Sequence, residues 1–316
     1  MRTEELQSTC QGIMDEVGKA IVGKREVLER VMLAMLCNGH VLFEDYPGLA
    51  KTMTANCFAQ SSGCAFKRVQ FTPDLLPADI TGTYILDRQT GNFRLRPGPV
   101  FANILLADEI NRAPPKTQAA LLEAMQERQV TLEGETMPLP RPFIVLATQN
   151  PIEYEGTYPL PEAQIDRFLI RTSVGYPTHE EEREILRRRR ARGREEVSME
   201  RVCTPERIVE MQKFVDGMHV QDVIEEYIVK IVAATRSHTQ VEVGASPRGS
   251  LALMRLSAAR AALKGRDYVI PDDVKDVAVP ALAHRLILAA DPWIRGVKPR
   301  SVVENIMKDV PVPKVG

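Results

Sequence analysis

Apolar residues recur at helical spacing across residues 24–37, "KREVLERVMLAMLC", whereas the next apolar run, "HVLF", is short and unbroken. The first pattern predicts a helix with one buried face, the second a buried strand. Residues 51–59 predict another helix. The alternation continues with strands in "AFKRVQF", "NILLAD" (Asn103 to Asp108), "FIVLATQN" and "FLIRTSV". Between them, "PPKTQAALLEAMQER" reads as a helix opening on proline, where a missing N–H does no harm. Short apolar strands alternating with helices predict an α/β fold, a mostly parallel sheet covered on both faces. Two segments interrupt it. "GTYILDRQTGNFRLRPGPVF" and "QVTLEGETMPL" each hold two strand-like runs around a turn, which predicts inserted hairpins.

The pattern changes after Tyr176. "PTHEEEREIL" starts a helix in which Thr178 and Glu181 have capping-box spacing. From about residue 200 only helical patterns follow, in "TPERIVEMQKFV", "DVIEEYIVKIVAATRSH", "SPRGSLALMRLSAARAAL" and "IPDDVKDVAVPALAHRL". The expected organisation is an α/β domain over residues 1–176, a helical linker over 177–199 and a helical domain over 200–316. The basic run "RRRRARGR", Arg187 to Arg194, follows Glu184 at spacings of three and four and precedes Glu195 and Glu196. A self-neutralised, solvated helix face is the simpler reading than a nucleic-acid patch.

Composition narrows the picture. In 316 residues, 41 Lys and Arg meet 42 Asp and Glu, which argues against a dedicated nucleic-acid or membrane-surface protein. The start, "MRTEELQSTCQ", has no apolar signal core, and no run is long enough to span a bilayer. A cytoplasmic protein without membrane insertion is expected. The five cysteines lack C-x-x-C spacing and read as reduced thiols rather than a metal site or disulfides.

The chemistry gathers at strand ends. After "HVLF" comes "EDYPGLAKT", Glu44 to Thr52. It ends as a phosphate-binding loop does, yet Asp45 and Ala50 stand at the two glycine positions of G-x-x-x-x-G-K-[ST], and Gly48 lies between them. Such loops work by converging backbone N–H groups on anionic oxygens at a helix N-terminus. Lys51 would reach the β- and γ-phosphates, and Thr52 would offer its hydroxyl to Mg²⁺. A positive φ at Ala50 would cost about 1 kcal/mol. Asp45 would repel phosphates unless it points away or meets a counter-charge. A plain turn before a helix is the competing reading.

"NILLADEINR" ends a strand in adjacent carboxylates, where open α/β sheets place ligands. Asp108 would hold the Mg²⁺ shell, and Glu109 would polarise an attacking water. "FIVLATQNP" ends in Gln149 and Asn150, whose amides could hold a water or a γ-phosphate oxygen; an ordinary Asn-Pro turn is the alternative. Arg248 in "ASPRGSLAL" falls in a first helical turn, where the helix dipole disfavours a cation, so an anion nearby is expected. Arg167 in "EAQIDRFLI" precedes a strand and could pair with Asp166.

Together these segments resemble the MoxR family of AAA+ ATPases. "DEINRAPPKTQAALLEAMQERQVTLEG", "ATQNPIEYEGTYPLPEAQIDRF" and "GASPRGSLAL" look like that family's signatures, and the likeness runs from about residue 15 to 295. It implies a P-loop NTPase core with an all-α lid. It implies a Walker A loop contributing Pro47, Gly48, Leu49, Ala50, Lys51, Thr52 and Met53, a Walker B pair in Asp108 and Glu109, sensor 1 at Asn150, an arginine finger at Arg167 and sensor 2 at Arg248. "IVGK", Ile21 to Lys24, matches the usual I-V-G-Q near the adenine, so Val22 and Gly23 would contact the base, with Lys24 a departure. The family habit explains Asp45 and Ala50. The hairpins match the helix-2 and pre-sensor inserts. The implied reaction is ATP + H₂O → ADP + phosphate, with Mg²⁺, in a homo-oligomer expected to be a hexameric ring because the finger serves a neighbour. The resemblance also implies a chaperone-like output on a client protein, through a partner with a von Willebrand factor A domain on another chain. Two other outputs stay open: a nucleic-acid motor, supported by Arg88, Arg94 and Arg96 at a hairpin, and a nucleotide-gated scaffold with little turnover.

Overall fold

A computed structural model describes residues 1–89, 91–151, 156–193 and 197–314. The chain opens with two helices, α1 (Thr3–Gly18) and α2 (Arg25–Leu36), then β1 (Val41–Glu44), α3 (Lys51–Ser61) and β2 (Phe66–Gln70). A short helix, α4 (Pro77–Thr81), leads into the hairpin β3 (Gly82–Leu86) and β4 (Phe93–Pro97). Next come β5 (Ile104–Asp108), α5 (Pro115–Glu127) and a second hairpin, β6 (Gln129–Leu132) with β7 (Glu135–Pro138). The α/β part closes with β8 (Ile144–Gln149), α6 (Glu162–Ile165) and β9 (Ile170–Thr172).

The five long-range strands form one parallel sheet in the order β2-β5-β8-β1-β9. Successive strand residues face opposite ways, and the burial follows that period. Phe43, Ile104, Leu106, Ile144 and Leu146 join a hydrophobic core on one face. Leu42, Leu105, Ala107, Val145 and Ala147 join a second core on the other, with Leu121, Leu122 and Met125 of α5. Each buried side chain of this size adds about 1.5–3 kcal/mol relative to exposure. Both predicted hairpins stand outside the sheet as separate antiparallel pairs.

After β9, α7 (His179–Arg192) starts with the Thr178–Glu181 capping box. Glu184 pairs with Arg187 and Arg188 at 3.3 and 2.8 Å. Arg188 also donates to the carbonyls of Gly18 and Lys19, at 2.8 and 3.0 Å, and so covers the end of α1. The basic run is thus tied into the fold; Arg194, Glu195 and Glu196 lie outside the described residues.

The helical part that follows, called the lid below, holds α8 (Pro205–Asp216), α9 (Asp222–Ser237), β10 (Val241–Val243), α10 (Pro247–Leu263), α11 (Pro271–Leu282), β11 (Ile287–Leu288), α12 (Ala290–Ile294) and α13 (Pro299–Asp309). Strands β10 and β11 pair antiparallel, a ribbon that the helical patterning did not predict. Their few residues flank helix ends, too short for a period of two to register.

The first core does not stop at the α/β part. It runs without a break from β1, β5 and β8 through α1, α2 and α3 to Ile208, Tyr227, Leu253, Leu256 and Val302 of the lid. Helix α1 contacts both α3 and α10, and α2 contacts both α8 and α10. All five cysteines are buried and free, and burial pushes Cys10, Cys37 and Cys203 up to about 12, so they stay protonated and inert. Among the described residues, no helix is long and apolar enough to cross a membrane.

Candidate functional site

Strands β1, β5 and β8 are neighbours, and their carboxyl ends meet at one sheet edge. A cavity of about 620 Å³ opens there. The loop residues Pro47, Gly48, Leu49, Ala50, Lys51, Thr52 and Met53 line it from one side; Asp108, Glu109 and Asn150 line it from the strand ends.

The loop solves the problem of its missing glycines in two different ways. Ala50 adopts the left-handed conformation, φ 55 and ψ 21, directly before α3. The backbone demand for a glycine is therefore present, and alanine bears the strain. Gly48 has φ +82, and a Cβ there would meet nothing within 4 Å, so its backbone faces open space. Asp45 lines the cavity, but its carboxylate is taken up by donors that lie outside it. Its Oδ2 accepts from the N–H groups of Val174 and Gly175, at 2.5 and 2.9 Å, and from the Ser173 hydroxyl at 3.2 Å. Its Oδ1 accepts from the Tyr46 N–H at 3.1 Å. The carboxylate ties the loop to the segment after β9. Ala50→Gly is therefore expected to stabilise the protein by about 0.5–1 kcal/mol by relieving strain. Asp45→Gly is expected to destabilise it by about 2–3 kcal/mol by leaving buried donors unpaired. Denaturant unfolding of both variants checks the opposite signs; loss of stability at Ala50→Gly would contradict this account.

Lys51 heads α3 and is buried. Its Nζ donates to the carbonyls of Asp45 and Tyr46, at 3.1 and 2.7 Å. Burial pulls its pKa below the usual lysine range, against the opposing pull of Asp45, Asp108 and Glu109.

The two adjacent carboxylates diverge. Asp108 Oδ1 accepts from the Thr148 hydroxyl at 2.6 Å, and Oδ2 accepts from Arg68 Nη2 and Nε at 2.7 and 3.1 Å. Glu109 has φ 55, a left-handed conformation uncommon for its type and costly to hold. Its N–H donates to the same Thr148 oxygen at 2.7 Å, while its Oε2 accepts from Gln70 and Arg112 at 2.7 and 2.8 Å. Thr148 thus fixes both backbone and carboxylate at this strand end.

Arg68, Gln70, Arg112 and Thr148 are absent from the sequence-derived candidates. Arg68 and Gln70 lie two apart on β2, in register with Leu106 and Asp108. A charged and an amide residue on one side of the edge strand β2 was the available signal.

Arg167 and Arg248 do not line this cavity. They meet at a second one, of about 390 Å³, between sheet and lid. Three other arginines line it and are engaged. Arg128 donates to the carbonyls of Asn38 and Phe143. Arg255 donates to the carbonyl of Cys37 and pairs with Asp216 at 3.5 Å. Arg285 pairs with Asp166 at 2.8 Å. By contrast, Arg167 Nε is buried without a hydrogen-bond partner. Arg248 is half exposed, 3.8 Å from Asp166. The competing reading of Arg167, a local pair with Asp166, gives way to an Asp166–Arg285 pair. Ser246 caps α10 and Pro247 opens its first turn, directly before Arg248.

Val22 and Gly23 also lie outside the first cavity. Gly23 has φ +70, and a Cβ on it would overlap the Glu181 side chain. Lys24 bonds the Tyr176 carbonyl at 2.9 Å and stands 3.3 Å from Glu181, so this segment grips the start of α7. Tyr46 and Tyr176 stack beside it, with ring centroids 5.7 Å apart.

A glycine-poor phosphate-type loop after β1, paired carboxylates at the end of β5 (one strand removed in the sheet) and a helical lid define a P-loop ATPase of the AAA+ class. Residues 40–170 match the model of the ATPase family associated with various cellular activities (AAA), and residues 233–306 match the AAA lid domain. The chain is 48% identical to the uncharacterized protein YeaC of Bacillus subtilis, over 98% of this chain and 97% of that one. It is 45% identical to chaperone MoxR1 of Mycobacterium tuberculosis, over 97% and 83% of the two chains. A crystal structure of a candidate ATPase from Cytophaga hutchinsonii superposes with a TM-score of 0.92 at 40% identity, covering 99% of this chain and 97% of that one. The chain belongs to the MoxR family of AAA+ ATPases.

Proposed function

We propose that this chain hydrolyses ATP to ADP and phosphate in an assembly of its own copies and uses the cycle to remodel a client protein. The observation that carries the reading is the convergence of Lys51, Asp108, Glu109 and Asn150 on one cavity at the sheet edge. Lys51 would leave its two carbonyls for the β- and γ-phosphates, and the N–H groups around Gly48 would cradle them. Glu109, freed from Gln70 and Arg112, would polarise the attacking water. Asn150 would hold that water or a γ-phosphate oxygen.

Mg²⁺ fits the donor set. Asp108 already carries a cation, the Arg68 guanidinium, and the exposed Thr52 hydroxyl lies on the same cavity. Carboxylate and hydroxyl oxygens suit a hard ion. When bound, Mg²⁺ would neutralise charge on the phosphate oxygens. Asp108 and Thr52 would hold it, with Arg68 giving up its place.

Arg167 and Arg248 would meet the nucleotide of the next protomer, since they share a cavity away from their own loop. The assembly is then head-to-tail, and a hexameric ring is the form we infer. The name of chaperone MoxR1 supports a client-directed output. So does the β3–β4 hairpin. Leu86 and Phe93 are opposite one another near its tip, 54% and 71% exposed. An apolar pair suits a protein client better than a phosphate backbone. A partner bearing a von Willebrand factor A domain would link the two.

ATP turnover per protomer, measured across protein concentration with Glu109→Gln as blank, tests the reading. A steep rise with concentration that vanishes in the blank is expected. Turnover at blank level throughout would instead favour a nucleotide-gated scaffold.

A further inference from the structure

Asp166 precedes Arg167 in sequence, yet its carboxylate reaches into the lid. Oδ1 accepts from Arg285 Nε at 2.8 Å. Oδ2 accepts from the Ser246 hydroxyl at 3.3 Å and stands 3.8 Å from Arg248 Nη1. Ser246 is the N-cap of α10, the helix that carries Arg248. The Arg285 side chain is only 4% exposed. It donates through Nη2 to the carbonyls of Asp166 and Phe168, at 3.2 and 2.9 Å, and through Nη1 to that of Ala281. One guanidinium therefore grips the backbone on both sides of Arg167, and one carboxylate grips the start of the helix holding Arg248. Gly249 lets these parts close up: a Cβ there would lie 3.2 Å from Leu282 and 3.5 Å from Arg285 Cδ.

We propose that Asp166 and Arg285 are positioning residues that hold Arg167 and Arg248 as one preset pair, aimed together at the neighbouring protomer's nucleotide. This rests on the proposed action of the two arginines across the interface. Donors aimed at developing charge help only when they are held in place before the reaction, and a misplacement of about 1 Å can cost about 10²-fold in rate. Charge-assisted bonds shared among residues from two distant parts of the chain supply that fixity. The Asp166 carboxylate also sits between the Arg248 and Arg285 guanidiniums and offsets their repulsion. A pair that merely fastened lid to sheet would affect folding alone.

Asp166→Asn and Arg285→Lys, assayed beside Arg167→Ala, separate these roles. For Asp166→Asn the expected result is a fall in kcat of about 10- to 10²-fold. Affinity of the protomer's own loop for a fluorescent ATP analogue should stay within a few-fold of wild type. Mixing Asp166→Asn with Lys51→Ala subunits should restore turnover, because one supplies an intact loop and the other an intact arginine pair. Combining Asp166→Asn with Arg167→Ala should be no worse than Arg167→Ala alone. Arg285→Lys should follow the same pattern. Wild-type kcat in both positioning variants, or a loss that tracks thermal stability and resists mixing, overturns the proposal. If Arg167→Ala itself turns over normally, the cross-interface reading fails and takes the proposal with it. If only Arg167→Ala is inactive, the proposal fails alone.

Discussion

Glu109→Gln is expected to lower ATP turnover by about 10²–10⁴-fold, the usual range for losing a positioned general base, while leaving nucleotide binding nearly intact. The substitution keeps the side-chain shape. Its amide oxygen can still accept from Gln70 and Arg112, which now hold Glu109 at 2.7 and 2.8 Å. The backbone bond from the residue 109 N–H to Thr148 is untouched. What disappears is the capacity to take a proton from water. Phosphate release and a fluorescent-nucleotide titration, run on the same preparation, check both halves. Turnover within tenfold of wild type would move the water-polarising role elsewhere. Joint loss of binding and turnover would make Glu109 a structural residue.

The second large effect is expected at Arg167. Arg167→Ala should reduce kcat by about 10³-fold, as removal of an arginine finger does, without changing affinity at the protomer's own loop. The physical ground is its local imbalance: a buried Nε without a partner, in a cavity where the other buried guanidiniums are satisfied. An uncompensated donor of this kind is tolerated best where an anion arrives from outside. Arg167→Lys should not rescue activity, since a lysine lacks the planar fork that spans two phosphate oxygens. Steady-state kinetics with separate KM and kcat values reads this directly. A raised KM with unchanged kcat would point to simple ground-state binding instead.

Much of the α/β frame was legible in the sequence because each central strand is a compact apolar run that is buried on both faces. The hairpins were legible from their turn residues. The loop, Asp108, Glu109 and Asn150 could be grouped because strand ends gather ligand-facing residues in an open sheet. The seam between sheet and lid was not legible. Asp166 and Arg285 are 119 residues apart, and neither breaks a local pattern. Arg68 was missed because a charged residue on an edge strand such as β2 reads as merely solvated until its partner Asp108 on β5 is known. The direction of Asp45 also depended on a distant segment, the amides of Val174 and Gly175. Local periodicity carries element type; it carries little about long-range polar contacts. The ribbon of β10 and β11 fell below the length at which periodicity speaks at all.

The unbroken core from the sheet through α1 and α2 into the lid has a mechanical consequence. Two bodies that share one oil-filled joint cannot swing apart without wetting it, at about 25 cal/mol for every Å² exposed. Each copy is therefore built as a stiff link rather than a jaw. In the proposed assembly, a stroke driven by nucleotide would be taken up where one link bears on the next.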